Sequence, residues 1–315
     1  MTEGAKREVP KIKDLAAYRA LLAPLVKRRV AQEPAVAAYV TIPVPTEEVI
    51  TAEWDERHLK HYLTVAAEFH HWFMEAKAMA GQRRQNVNLI ALLARIGAVE
   101  AALNTPEQGS KQVHAYTGGL TSKQRLAIER CVHHVADGHK VILFVRSPAS
   151  AELFARQLRR RGIDCAVMHG GVSQKERTRA LRDDFRLGQV PMLVATLGVA
   201  QTGLNIPEAD RVIFYGRDWT SKTERQAKAR VLRPQQKRPV LVEYLHLPGS
   251  LDDYMAQMVA FKGNAADAGL DWASPEFDDV EFLHLDTLLG RFCEQLAALP
   301  GCKPHELRER LAAAA

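Results

Sequence analysis

The sequence predicts an α/β protein, a parallel sheet flanked by helices, with helical extensions before and after it. Two observations predict this. Between residues 121 and 250, short apolar runs alternate with amphipathic stretches, and strands separated by helices build right-handed βαβ units and therefore a parallel sheet. Several of the runs, KVILFV (residues 140–145) among them, show no polar alternation. That is the mark of a strand covered on both faces.

Residues 12–110 read as mostly helical. LAAYRALLAPLVKRRV is an amphipathic helix broken at Pro24, and TIPVPTEEVITAEW carries the β-branched residues of one extended strand. The apolar spacing of three and four from Asp55 onward, and again in NVNLIALLARIGAVEAALNTP, predicts two more helices, the second stopped near Asn104 and Pro106. EQGSKQVHAYTGGLTS, rich in Gly and polar residues, reads as a linker. SKQRLAIERCVHHVADG is a helix ending at Gly138, KVILFV a strand, and SAELFARQLRRRG a helix closed by Gly162. DCAVMHGG is a strand running into a glycine turn. SQKERTRALRDDFRLG is a helix whose Ser173 and Glu176 have capping-box spacing. PMLVAT, ADRVIFYG and PVLVEYLHL are strands, with the helix KTERQAKARVLR before the last. The tail, including FLHLDTLLGRFCEQLAAL, is helical. The divisions are a helical segment over 1–110, a linker over 111–120, the sheet-bearing lobe over 121–250 and a helical extension over 251–315.

The 315 residues, 47% hydrophobic and 25% charged, have the composition of an ordinary soluble globular protein. The formal charge of +6 permits a nucleic-acid partner without requiring one. Four cysteines without C-x-x-C spacing make neither a disulfide scaffold nor a zinc site, and they fit a reducing, cytoplasmic compartment. The pairs His70-His71 and His133-His134 point apart on a helix, and His58 and His61 have no further ligand nearby, so no metal site is expected. The N-terminus lacks an apolar signal region, and no run reaches 18 apolar residues, so no membrane association is expected.

Ligands of open parallel sheets bind outside the carboxyl ends of the strands. Three segments put unusual residues there. The first is His169-Gly170-Gly171. The second is ATLGVAQTGLN, where Gly198 and Gly203 permit close backbone approach and Thr196, Gln201 and Asn205 offer polar groups. The third is QAKARVLRPQQ, in which Gln226, Arg230 and Arg233 would share one face of a helix. Taken alone, the second reads first as a turn with polar decoration, and the third as a solvated basic helix.

Their order closely resembles the second RecA-like lobe, the helicase C-terminal domain, of superfamily-two helicases, and specifically of Swi/Snf-type DNA translocases. KVILFV stands where motif IV lies. MHGGVSQKERTRALRDDF resembles the pattern of Gly, polar residue, then Glu-Arg before a Phe. ATLGVAQTGLNIPEADRVIFYGRDW resembles motif V and the strand after it, including the Asp218-Trp219 pair of the Swi/Snf branch. ERQAKARVLRPQQ resembles motif VI, with Gln226, Arg230, Arg233 and Gln236 at the family positions. LLAPLVKRRV, the strand before Glu47 and LIALLARIGAVEAALNTP resemble the segment preceding this lobe. The resemblance covers residues 10–265. Ala229 replaces a frequent Gly, and Pro234-Gln235 replaces a small residue and Gly, a change able to bend the helix end.

The resemblance implies that Arg230 and Arg233 are arginine fingers, oriented by Gln226, and that Gly203 and Asn205 join them at the nucleotide. It implies DNA-backbone contacts from His169, Gly170, Gly171, Arg177, Thr196 and Trp219. ATP and Mg²⁺ would be bound mainly by a first RecA-like lobe, in cis or trans, because G-x-x-x-x-G-K-[ST] does not occur in the chain. TGGLTSK (Thr117 to Lys123) comes nearest but lacks the spacing. The expected function is the C-terminal lobe of an ATP-dependent duplex-DNA translocase, cytoplasmic, at the nucleoid in a bacterium or in the nucleus of a eukaryote. A catalytically inactive DNA-binding or scaffold module with the same fold is the alternative. An RNA helicase lobe of another branch fits Asp218-Trp219 and the upstream helical segment less well.

Overall fold

Six parallel strands lie in the order β1-β6-β5-β2-β4-β3 in a computed structural model that describes residues 17, 20–21, 24–25, 33–82, 89–109, 114–200, 205–218, 221–256 and 259. In chain order the elements are α1 (Pro34–Ala37), β1 (Thr46–Thr51), α2 (Glu56–Gln82), α3 (Leu89–Asn104) and a 3₁₀ turn (Pro106–Gln108). Then come α4 (Ser122–Ala136), β2 (Val141–Val145), α5 (Pro148–Arg159), β3 (Cys165–Met168), α6 (Gln174–Arg179), β4 (Met192–Thr196), α7 (Leu197–Ala200), β5 (Arg211–Phe214), α8 (Ser221–Val231) and β6 (Leu241–His246). Residues 251–256 are again helical. The expected helix over 15–30 lies largely outside the described residues, and the helical tail beyond 259 lies wholly outside them.

The central strands are covered on both faces, as their unbroken apolar runs require. Ile142 and Phe144 point into one core with Leu193, Val212 and Phe214, while Val141, Leu143 and Val145 point into the other with Met192, Val194 and Ile213. A third core joins α2, α3 and residues 251–255 through Phe69, Phe73, Leu92, Ile96 and Tyr254.

Three local readings differ from the sequence expectation. The strand predicted within residues 41–54 spans Thr46–Thr51 and, rather than standing among the helices of a separate N-terminal segment, joins the sheet as an edge, paired with β6. The helix begun at the Ser173 capping box does not stay α-helical. Residues Ala180–Arg186 form a π turn, with Leu187 N donating to Arg182 O at 2.9 Å, and the wider turn puts the buried Phe185 under the sheet beside Ala180 and Leu181. Finally, α8 stops at Val231, so Arg233 lies beyond the helix. Pro234 is the reason, since the residue before a proline is disfavoured in the α conformation.

Two buried charge clusters hold the layers together. Lys123, fully buried at the start of α4, donates to Asp252 Oδ2 at 2.6 Å and Asn104 Oδ1 at 2.8 Å, and lies 4.9 Å from the Tyr215 ring centre. The lysine of the stretch nearest to a phosphate loop is thus a strut between α3, α4, Tyr215 just after β5 and residue 252. In the second cluster, Glu243 of β6 accepts from Arg130 and faces His134 Nε2 at 3.1 Å. Burial pushes the Glu243 carboxyl up, but the hydrogen bonds from His134 and Arg130 outweigh it and leave the pKa below the ordinary 4.5. A lowered carboxyl pKa stabilises the fold fully above the unfolded value and loses that contribution as pH falls through the folded one. Melting temperature measured against pH should therefore fall below about 4.5. Glu243→Gln should start from a lower value at pH 7 and fall less steeply.

Candidate nucleotide and nucleic-acid interface

Chain direction decides where each loop lies. From β2 the chain turns towards β3 and β4, whereas from β5 it turns towards β6, so the loops after β2 and β5 diverge. Such a switch point opens a crevice at the carboxyl ends of the strands. A cavity of about 130 Å³ lies there, lined by Arg146 and Ser147 after β2, Tyr215 and Gly216 after β5, and Glu100 and Asn104 of α3. Burial pushes the Glu100 carboxyl up against the lowering effect of Arg146, 3.6 Å away.

The His169–Gly171 loop follows β3 at the same end of the sheet. His169 Nδ1 accepts from Gly171 N at 3.1 Å, and Nε2 faces Glu152 Oε1 at 3.0 Å. A Cβ on Gly171 would meet the His169 ring at 3.2 Å, so this glycine lets the ring fold back on its own loop. Gly170 is different. Its φ is not positive, and a Cβ there would meet nothing within 4 Å. Gly198, exposed in α7 after β4, likewise has no positive φ and open space around it. Neither backbone conformation nor internal packing explains these two glycines. Both leave bare backbone facing outward.

Thr196 ends β4 but is only 6% exposed, so its hydroxyl offers little surface. Arg177 is half-buried in α6, and its Nε is desolvated with no hydrogen bond among the described residues. The α6 N-terminus is satisfied by its own capping box, Ser173 with Glu176. Gly203 and Trp219, together with Gln201, lie outside the described residues.

The arginines are not at the carboxyl ends of the strands, contrary to the sequence expectation. α8 starts at that end and runs back along the sheet, and nine residues of helix carry Arg230 about 14 Å away. Arg230 lies instead beside the chain approaching β5. Its carbonyl accepts from Ile206 N at 2.8 Å, and the exposed Asn205 is the residue before. Gln226, half-buried, keeps its predicted place one turn before Arg230. Although Arg233 has left the helix, the two cations remain electrostatic neighbours. Burial first, then the like charge of Arg233, holds the Arg230 guanidinium below its ordinary pKa. Arg233 Nε is desolvated with no hydrogen bond among the described residues. The predicted residues therefore fall into two groups, the loops after β3 and β4, and the flank of α8 with Asn205.

Sequence reasoning missed what holds α8. Arg217 forks onto Glu224 with Nε–Oε1 and Nη2–Oε2 distances of 2.9 Å, both side chains being nearly buried. Glu224 Oε1 also accepts from Asp218 N at 3.0 Å. Two parallel bonds of this kind fix orientation as well as distance. The Arg217 guanidinium covers the Tyr244 ring at 4.2 Å, and Glu47 of β1 takes Lys228 Nζ at 2.6 Å and Tyr244 OH at 3.0 Å. Nothing in local spacing announced these pairs. Arg159 ends α5 at the opposite end of the sheet from Arg177, where Nη2 donates to Cys165 O at 2.7 Å.

Residues 123–235 match the helicase conserved C-terminal domain. Human ATP-dependent RNA helicase DDX42 is 38% identical over 106 residues, 33% of this chain and 11% of that protein. DNA repair protein rhp54 of Schizosaccharomyces pombe is 25% identical over 288 residues, 84% of this chain and 32% of that protein. The chain thus spans a minor part of these relatives' length. Two solved structures share the fold. The Sulfolobus solfataricus SWI2/SNF2 ATPase core in complex with dsDNA matches with a TM-score of 0.53 at 20% identity, covering 79% of this chain and 50% of that one. The C-terminal part of the Fun30 ATPase domain matches with a TM-score of 0.55 at 13% identity, covering 82% of this chain and 99% of that one. The match takes in half of the first of these chains and nearly all of the second. Residues 123–235 thus match a helicase C-terminal domain, and the chain shares the RecA-like fold of Swi2/Snf2 ATPase cores.

Proposed function

We propose that this chain works as the second lobe of an ATP-dependent duplex-DNA translocase, with a first lobe supplied in cis or in trans. The observation that carries the proposal is the pair Arg230 and Arg233, two neighbouring cations beside Asn205, one with a desolvated N–H that nothing described satisfies. A phosphate group fits that need, because a guanidinium is permanently charged and presents planar donors. ATP, with Mg²⁺, belongs mainly to the first lobe and supplies the bond whose hydrolysis drives the cycle. Arg230 and Arg233 bring fixed positive charge against its terminal phosphate when the lobes close, and Gln226 steadies them from one turn earlier. The exposed Asn205 adds to that surface; Gly203, expected beside it from the sequence, lies outside the described residues.

On the DNA side, the bare backbone at Gly170 and Gly198 allows phosphates to come close, with Arg177 and the end of β4 at Thr196 alongside; Trp219, expected to join them from the sequence, lies outside the described residues. Contacts of this kind carry affinity without sequence information, which suits a motor that must move over any sequence. Duplex DNA is the proposed partner in keeping with the net positive charge and with the dsDNA-bound relative of the same fold. Among the described residues no helix is long and apolar enough to cross a membrane.

The test is phosphate release by this chain alone and joined to a first lobe, each with and without duplex DNA. The chain alone should release none above background, and the joined lobes should respond to DNA. Turnover by the chain alone at roughly 1 per second, within the ordinary range of enzymes, overturns the reading. Joined lobes that ignore both DNA and ATP favour the scaffold alternative.

A further inference from the structure

We infer that Glu152, on α5, is a positioning residue that sets the ring of His169 and thereby the shape of the Gly170 loop that receives a DNA phosphate. The inference rests on the DNA-contact reading above. A carboxylate can only accept a hydrogen bond, so Nε2 of His169 carries the proton towards Glu152 Oε1, 3.0 Å away. Nδ1 is then the acceptor for the Gly171 amide, at 3.1 Å. One carboxylate thus selects the tautomer that lets the ring hold its own loop. Without it, the Nδ1–H tautomer becomes accessible, and that form cannot accept from Gly171.

The consequence reaches Gly170. The turn is closed by Val172 N donating to His169 O at 3.1 Å, and Gly171 N is taken by the ring. Among the described residues the Gly170 N–H has no acceptor, and the residue has open space around it. Glu152 is itself an acid, 53% exposed, near a surface read as a phosphate receptor. By charge alone it opposes DNA binding. Its support of the ring is the compensating role.

That opposition makes the test sharp, because Glu152→Ala and Glu152→Gln remove the same charge. If Glu152 acted only through its charge, both variants would bind DNA more tightly. If it positions His169, Gln keeps an acceptor for Nε2–H and binds as well as the parent or better, whereas Ala binds about fivefold more weakly, the scale of one lost hydrogen bond. Binding of the full chain to a fluorescent duplex is measured by anisotropy over a range of salt. The salt slope should be the same in all three proteins, since no phosphate-contacting cation is removed.

A second readout does not depend on DNA. At pH 8, where an ordinary imidazole is neutral, the ¹⁵N resonances of His169 should show a single Nε2–H tautomer in the parent and in Glu152→Gln, and a mixture in Glu152→Ala. Ala binding as tightly as Gln, or an unchanged tautomer in Ala, overturns the inference. A parent chain that fails to bind duplex DNA at low salt overturns the DNA-contact reading and, with it, the phosphate role of the Gly170 loop. The tautomer result then still decides whether Glu152 sets the ring.

Discussion

Arg233→Ala, in this chain joined to a first lobe, is expected to lower DNA-stimulated ATP hydrolysis by about 10³-fold, the lower end of what an arginine finger contributes. Arg230→Ala should fall in the same range. Lys at either position should restore little, because an ammonium keeps the charge and loses the planar fork. The position of Arg233 sharpens the expectation. It sits past the end of α8 in a turn where its backbone N donates to Val231 O and its O accepts from Gln236 N, both at 2.9 Å. Its backbone is therefore fixed while its guanidinium Nε lacks a partner among the described residues. Removing the side chain leaves the turn intact, so a thermal melt should move little, in keeping with the usual half kcal/mol or so of a surface change. Unchanged hydrolysis in both variants would make the arginines solvated charges. A large fall in melting temperature together with activity would make them structural.

The largest expected effect on stability lies elsewhere. Lys123→Met should cost about 3–5 kcal/mol, the range for removing one partner of a buried pair. On a chain of this size that is a fall in melting temperature of roughly 10 °C. Met fills most of the space of the lysine stem, so the effect reads the charge rather than a cavity. It leaves Asp252, 0% exposed, with Leu247 N at 3.1 Å as a remaining donor and no cation. Burial pushes the Lys123 pKa down and the Asp252 carboxylate pulls it up, with burial the larger effect. The double variant Lys123→Met with Asp252→Asn should recover part of the loss, since it removes the stranded charge. If the double variant melts lower than the single one by the full cost of a second independent lesion, the two residues do not act as a pair. Duplex binding well below the melting temperature should be unaltered in the single variant, because Lys123 lies inside the fold.

Much of this architecture was readable from residue order. β2 and β4 announced themselves because strands covered on both faces read as apolar runs, with only the last residue of β4, Thr196, polar. The Ser173 box was legible because capping is a contact over three residues. The sequence also showed that 46–51 is extended, but not that it forms the edge beside β6, since that pairing joins residues 195 positions apart. The end of α8 was misjudged by weighing helical spacing above Pro234, and the error moved Arg233 off the helix while leaving it near Arg230. The order of motifs indicated the candidate residues, but not that α8 carries its arginines away from the glycine loops. The supporting pairs, Glu152 with His169, Arg217 with Glu224 and Lys123 with Asp252, were illegible for a different reason. Each is a charged residue of a kind that mostly faces water, and only the fold identifies its partner.

The strand order bears on where this lobe can be cut for expression. β6 lies between β5 and β1, yet the matched family span ends at residue 235, before β6 begins. A fragment limited to 123–235 would strip the neighbour from β5 and expose a bare backbone edge beside Val212, Ile213 and Phe214, all fully buried in the intact sheet. An unprotected apolar edge invites strands from other molecules. The same cut removes Asn104 and Asp252 from around Lys123. Recombinant versions that stay monomeric should begin upstream of Thr46 and run beyond Asp252, so that the sheet keeps Glu47 and Glu48 on its natural edge as charged guards.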